Sequence, residues 1–401
     1  MTTHLSPKRE RWLLFTLAGI QFTSVLDFMI MMPLGPQLMR DLDIGPAKFA
    51  SLVSGYTWSA GLVGLVATAF IDRFDRRPAL LVMFAGFVLG TLACGFARHY
   101  ESLLAARIVS GAFGGVSGAL VMTIVADVVP PARRAAGIGL VMTAFSVASA
   151  LGVPSGLYLA QTWEWETPFR LIAGLGTAIW LVALLGLPRL RAHLSADPPP
   201  PRLKALAALA ANRNVQWAML FMASMVGAHF TVIPFLSPYL VANVGLPEKH
   251  LFAVYLTGGI LTVFTGPLMG RLADRHGRLR VYRVVTVVAS AVLLFLTYAP
   301  RLELPWVLLL AGLFFVFASG RFVPGQAIAS LAVAAPQRGA FMSFSSCARD
   351  LISGLVSSLG GLIVTRSDHS APLLGYHWLG WIAVACSLLS LWLARQVQEV
   401  G

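Results

Sequence analysis

Acidic residues are scarce in this chain, and charge of either sign is thin. Asp and Glu number 17 against 30 Lys and Arg, and the four charged types together make up only 12% of the sequence. Soluble globular domains carry about 25%, so an ordinary water-soluble domain is excluded. Cysteine is nearly missing: Cys94, Cys347 and Cys386 all stand in apolar stretches, with no CxxC pair, which argues against a disulfide framework or a metal site. No GxxxxGK[ST] string occurs, so the phosphate cradle of an ATP-driven machine is absent. The apolar stretch after Lys8, Arg9 and Arg11 is too long for a signal core and lacks a small-residue cleavage site, so no cleavable signal peptide is expected.

What is present is apolar. Hydrophobic residues make up 57% of the 401. A membrane-spanning helix needs about 20 of them, and the pattern places helices at 12–39, 48–71, 78–97, 101–127, 135–160 and 168–187. After a linker come 214–241, 249–270, 281–299, 304–333, 338–364 and 373–394. The expected fold is an all-α membrane protein of 12 transmembrane helices. It divides into six-helix bundles over 1–187 and 214–401, joined by a linker over 188–213. That linker carries Pro198-Pro199-Pro200-Pro201, which favours a stiff extended segment. Arg202–Leu209 then reads either as a surface helix or as a plain tether.

The net charge of +13 would suggest nucleic acid if its placement were ignored. With the N-terminus inside, segments on that side hold 20 of the 30 basic residues, including Arg73, Arg76, Arg77, Arg271, Arg275 and Arg278. Basic residues stay on the cytoplasmic side during insertion. Both termini are therefore expected to be cytoplasmic, and the charge reflects topology and attraction to anionic lipid. No nucleic-acid partner is expected.

Two loops repeat one pattern. Gly270-Arg271-Leu272-Ala273-Asp274-Arg275-His276-Gly277-Arg278 follows the second span of the C half. Thr68-Ala69-Phe70-Ile71-Asp72-Arg73-Phe74-Asp75-Arg76-Arg77 follows the second span of the N half. Leu26-Asp27 leads through an apolar run to Pro33, Arg107 precedes Gly111 by four, and Gly152-Val153-Pro154-Ser155-Gly156 lies in the fifth span. Together these resemble the major facilitator superfamily, and within it the drug–proton antiporters in the arabinose-efflux-like form. The first loop departs at Thr68, Ile71 and Asp75, where the family has glycine or small residues. The resemblance covers nearly the whole chain. It implies two six-helix halves with the substrate site between them and a multi-pass protein, most simply a monomer, in a bacterial inner membrane. It also implies a latch: Asp72 facing the start of the eleventh helix near Gly339, Arg73 pairing with Asp127, and Asp274 with Arg275 serving the symmetric place near Ala135. These contacts would hold the outward-open state and break on inward opening. Gly152, Pro154 and Gly156 would thin and bend the fifth helix.

Ionisable side chains inside a bilayer are costly and default to a functional role. Six lie well within spans: Asp27, Arg107, His229, Arg321, Arg349 and Asp350. At 1.5 Å per residue, Asp27 lies about 22 Å from the inner face and Arg107 about 9 Å from the outer one. They share a depth, where an acid can hold a proton or a cationic substrate; a fixed brace between two helices is the other reading. Arg321 and Arg349 share mid-depth, where two guanidiniums could bind an anionic group, bidentately if it is a carboxylate or phosphate, with Asp350 able to neutralise one; an internal Arg–Asp brace is the equal alternative. Adjacent helix positions point about 100° apart, so Arg349 and Asp350 are not expected to face the same spot. The arginine count tilts the expected ligand toward a neutral or anionic polar molecule. His229 stands before Pro234 and Pro238, which should bend that helix, as a packing residue or a proton carrier.

The leading reading is a secondary transporter that exports a drug-like or sugar-like small molecule by proton antiport, with no cofactor. Uptake or exchange of an organic anion on the same fold stays open. More remote are an intramembrane protease, from Gly115-Val116-Ser117-Gly118 with His229 as base, and a non-transporting sensor.

Overall fold

The computed structural model describes residues 6–68, 70–130, 133–188, 190, 211–334, 337–368 and 371–400. In chain order the helices are α1 (Pro7–Ile30, resumed over Gly35–Asp41), α2 (Pro46–Thr68), α3 (Arg76–Cys94) and α4 (Tyr100–Val128). Then come α5 (Arg134–Val147, a π-helical stretch Ala148–Gly152, and Val153–Thr162) and α6 (Thr167–Gly186). The C half holds α7 (Arg213–Phe230, resumed over Leu236–Ala242), α8 (Leu251–His276) and α9 (Arg278–Thr297). It closes with α10 (Leu304–Phe314, π-helical Phe315–Ser319, and Phe322–Ser330), α11 (Arg338–Ile363) and α12 (Tyr376–Leu393). Eleven of the twelve are long and apolar enough to cross a membrane. The exception, α11, carries Arg349, Asp350 and six serines along its 26 residues. The Pro198–Pro201 run and the Arg202–Leu209 surface helix lie outside the described residues.

Four helices, α1, α5, α7 and α10, are interrupted within their length, α5 and α7 beside the prolines where bends are expected. Proline cannot donate to the helical ladder and clashes with the preceding turn. Pro33 and Pro36 accordingly break α1 into a turn at Met31–Leu34, and Pro234 turns α7 into a 3-10 segment at Ile233–Phe235. In α10 the π-helical stretch stands just ahead of Arg321 and Pro324. The second signature loop is shorter than a loop: α8 ends at His276 and α9 begins at Arg278, with Gly277 alone between them at φ 88°. A side chain at that φ would be strained, so only glycine joins these helices without cost.

Apolar packing changes along the membrane normal. Near the face that carries both termini, each half has its own core. One is built from Leu13, Leu80, Phe84, Ile124 and Val125, the other from Val215, Phe221, Phe341 and Leu393. Near the opposite face a single core runs through both halves, taking in Ile30, Phe49, Leu157, Phe235, Leu251 and Leu379. Hydrogen bonds join the halves there: Arg40 Nη1 donates to Glu248 Oε2 at 2.7 Å, and Gln161 Nε2 donates to the Glu248 carbonyl at 2.7 Å. Between these ends, Gly259 of α8 lies against the Ser149 carbonyl and Ala150 of α5. Gly61 and Gly64 of α2 lie against Leu351 and Cys347 of α11. The halves are fastened at the opposite face and packed separately at the terminal face, the arrangement of a molecule open toward its termini.

Candidate functional site

In the N half the structure brings Asp27 and Arg107 together. Arg107 Nη1 donates to Asp27 Oδ2 at 2.8 Å and to the Asp27 carbonyl at 3.2 Å, and both side chains are fully buried. Tyr56 of α2 covers the guanidinium, with its ring centroid 4.5 Å from Cζ. The glycines of α4 make that approach feasible. A Cβ at Gly111 would strike the Tyr56 carbonyl and Ser59 Oγ, one at Gly114 would meet the Tyr56 hydroxyl at 2.7 Å, and one at Gly115 would meet Ala60 at 2.8 Å. Small residues let backbones meet where water exclusion gives no driving force. Among the described residues, Asp27 Oδ1 and Arg107 Nε and Nη2 are buried without a hydrogen-bond partner.

In the C half Arg321 is equally buried, and its Nη1 donates to Ser387 Oγ of α12 at 2.9 Å. His229 stacks on Phe314 with centroids 5.9 Å apart and meets Phe230 and Phe322 edge-on, each at 5.4 Å. Here the sequence expectation needs correcting, because Arg321 and Arg349 do not form one cationic site. Arg321 points into the α9–α12 side of its own bundle. Arg349 is about a third exposed on α11, and its Nη2 donates to Ser346 Oγ at 2.7 Å. Arg349 Nε also stands 3.9 Å from Asp350 Oδ1, so these neighbours do share a spot. The long guanidinium stem spans the 100° between their Cα–Cβ directions. The arginine count that favoured an anionic ligand in a shared α10–α11 site therefore loses its basis.

Aromatic rings connect the two halves. Tyr56 lies 5.5 Å from Phe28, and Phe28 lies 6.0 Å from Phe230 across the interface. The chain of contacts thus runs Arg107, Tyr56, Phe28, Phe230, His229 and on to Phe322, the sequence neighbour of Arg321. Sequence reasoning singled out none of Tyr56, Phe28 and Phe230. A signal for the phenylalanines exists: Asp27-Phe28 stands nine residues ahead of Pro36, and His229-Phe230 nine ahead of Pro238.

The terminal-face motifs are partly rearranged. The partner of Asp127 is Arg76, not Arg73: Arg76 Nε lies 3.3 Å from Asp127 Oδ2, while Arg73 is exposed. Asp75 explains the change. Its carboxylate accepts from the Arg77 amide at 2.9 Å and so starts α3 at Arg76, which turns Arg76 into the bundle and leaves Arg73 in the preceding 3-10 turn. Arg77 Nη2 donates to the Leu184 carbonyl at 2.7 Å. The side chains of Asp72 and Ala135, and the surroundings of Gly339, lie outside the description. Asp274 and Arg275 are exposed and form no ion pair among the described residues, and Arg278 stands 3.8 Å from Glu399. Gly152 and Gly156, flanking Pro154, let α1 seat Leu26 and Ile30 against α5; a Cβ at either would come within 2.8 Å.

A family model described as the Major Facilitator Superfamily matches residues 17–265 and 251–399. The chain is 25% identical over 375 residues to the inner membrane transport protein YdhP of Escherichia coli strain K12, covering 91% of this chain and 92% of that one. It is 23% identical over 366 residues to a probable sugar efflux transporter of Helicobacter pylori strain P12, covering 89% and 88%. Among solved structures, a bacterial homologue of the human lysosomal transporter Spinster, inward-facing and unoccupied, matches with a TM-score of 0.78 at 15% identity over 98% of each chain.

Proposed function

The chain belongs to the Major Facilitator Superfamily and is a multi-pass membrane transporter, and from that premise we propose that it exports a small organic molecule by proton antiport. The carrying observation is the Asp27–Arg107 pair. A buried ion pair is poor at adding stability, because desolvation offsets its Coulomb gain. Function is the better reason for placing an acid at this depth. One Asp27 oxygen holds Arg107; the other accepts no hydrogen bond among the described residues and offers a proton a place to bind. Tyr56 links this pair, through Phe28 and Phe230, to the other half. A proton and a substrate contending for this region would be exchanged as the halves rock.

The direction is supported by the named relatives, one of them a probable sugar efflux transporter, and by the Gly152-Pro154-Gly156 segment of α5, which resembles the efflux motif. In this reading the termini are cytoplasmic, the protein works as a monomer in an inner membrane surrounded by lipid, and the proton gradient is its energy source without any cofactor. Asp72 and Asp274 act as latches of the outward-open state. Flux into proteoliposomes under an imposed pH gradient tests the reading, with ethidium and radiolabelled arabinose as probes. Accumulation of either probe that collapses with the gradient supports it. Gradient-independent equilibration of both refutes proton coupling.

A further inference from the structure

The two halves present matched positions with unmatched charge. Asp27 and His229 correspond: each precedes a phenylalanine of the Phe28–Phe230 contact across the interface, and each stands nine residues ahead of the proline that opens the resumed helix. In the N half the position beside a buried arginine is a carboxylate. In the C half it is an imidazole, which supplies no negative charge.

Among the described residues Arg321 is therefore a buried cation without a counter-ion. Its side chain is fully buried, it has one hydrogen bond, from Nη1 to Ser387, and its Nε and Nη2 are unpartnered among the described residues. Among the described residues no carboxylate stands within ion-pair distance of it, and its one side-chain partner, Ser387, is neutral. The other acid at mid-span, Asp350, is engaged with Arg349. Thr286 Oγ1 and His229 Nδ1 are also buried and unpartnered in this bundle, while Tyr282 and Ser390 are hydrogen-bonded to one another at 2.6 Å. A lone buried guanidinium is among the costliest groups a protein can hold, and a planar fork with two free N–H edges matches a carboxylate.

We propose that Arg321, with Ser387 and His229, forms an anion-binding subsite in the C half, taking one small monoanion: a carboxylate of an organic ligand or an inorganic halide. The anion completes in the C half the pair that Asp27 completes in the N half. His229, partly exposed between Phe230, Phe314 and Phe322, forms the rim of the subsite. The proposal concerns binding and does not require the proton-antiport reading, so either can fail alone.

The test is thermal unfolding of the purified full chain in detergent. HEPES is the sole background anion, and chloride or benzoate is titrated at constant ionic strength. The wild type is expected to show a saturable rise in melting temperature. A rise with chloride alone assigns the subsite to an inorganic ion, and a rise with benzoate assigns it to an organic carboxylate. Arg321→Gln loses the rise. His229→Asp supplies the missing carboxylate from the protein itself: it melts higher than wild type without added anion and no longer responds to either one. This variant decides the matter even if Arg321→Gln does not fold. A wild type that responds to neither anion, or a His229→Asp protein that keeps the full response, overturns the proposal.

Discussion

Glu248 is where the two halves are tied, and loosening it should move the conformational equilibrium by a readable amount. Its carboxylate accepts from Arg40 at 2.7 Å, with the side chains 28% and 54% exposed, and its carbonyl accepts from Gln161. Glu248→Gln keeps the backbone bond and an acceptor for Arg40 but removes the charge. Exposed ion pairs are worth about 0.2–1 kcal/mol, and the half-burial of Glu248 places this pair in the upper part of that range. A loss of roughly 0.5–1 kcal/mol changes the ratio of the two states about 2- to 5-fold. Spin labels at Ala47 and Ser367, both exposed at this face on opposite halves, in a cysteine-free background, would report the change by pulsed EPR. The long-distance population should grow by that factor in Glu248→Gln. The difference from wild type should shrink in high salt, which screens exposed charge. An unchanged distribution, or one shifted toward the short distance, would refute the tie.

Two further outcomes follow from the site geometry. Arg76→Ala removes a buried charge-assisted hydrogen bond to Asp127 and should cost about 1.5–3 kcal/mol, while Arg73→Ala should stay within about 0.5 kcal/mol; denaturation midpoints in detergent compare the two. Asp350→Asn should weaken binding of a lipophilic cation such as ethidium, and Arg349→Gln should leave it intact, as read by fluorescence polarisation. The reverse ranking would place Arg349, not Asp350, against the ligand.

Depth was legible in the sequence and direction was not. Counting 1.5 Å per residue puts Asp27 and Arg107 at one level, and the structure joins them. The same counting puts Arg321 and Arg349 at one level, yet they face different neighbours. In water an amphipathic stripe shows which face of a helix is buried. In a bilayer the lipid-facing and bundle-facing sides are both apolar, so that cue is missing, and nothing in the local pattern turns Arg321 toward Ser387. Tyr56 was hidden for the same reason, as one aromatic residue among many. The Arg73-to-Arg76 exchange came from capping: Asp75 was read as a missing turn glycine, whereas it accepts from the Arg77 amide and sets where α3 begins. The helix breaks were half-legible, since Pro33, Pro36, Pro234 and Pro238 stand plainly in the sequence, although the expected spans ran through them.

The most direct test of the central claim is uphill uptake by Asp27→Asn protein in acid-inside proteoliposomes. Asn keeps an acceptor for Arg107 but cannot exchange a proton. The variant should insert, bind ethidium or arabinose and equilibrate it, yet fail to accumulate it above the outside concentration while wild type does. Accumulation by Asp27→Asn equal to wild type, with an unchanged pH dependence, would contradict Asp27 as the coupling acid.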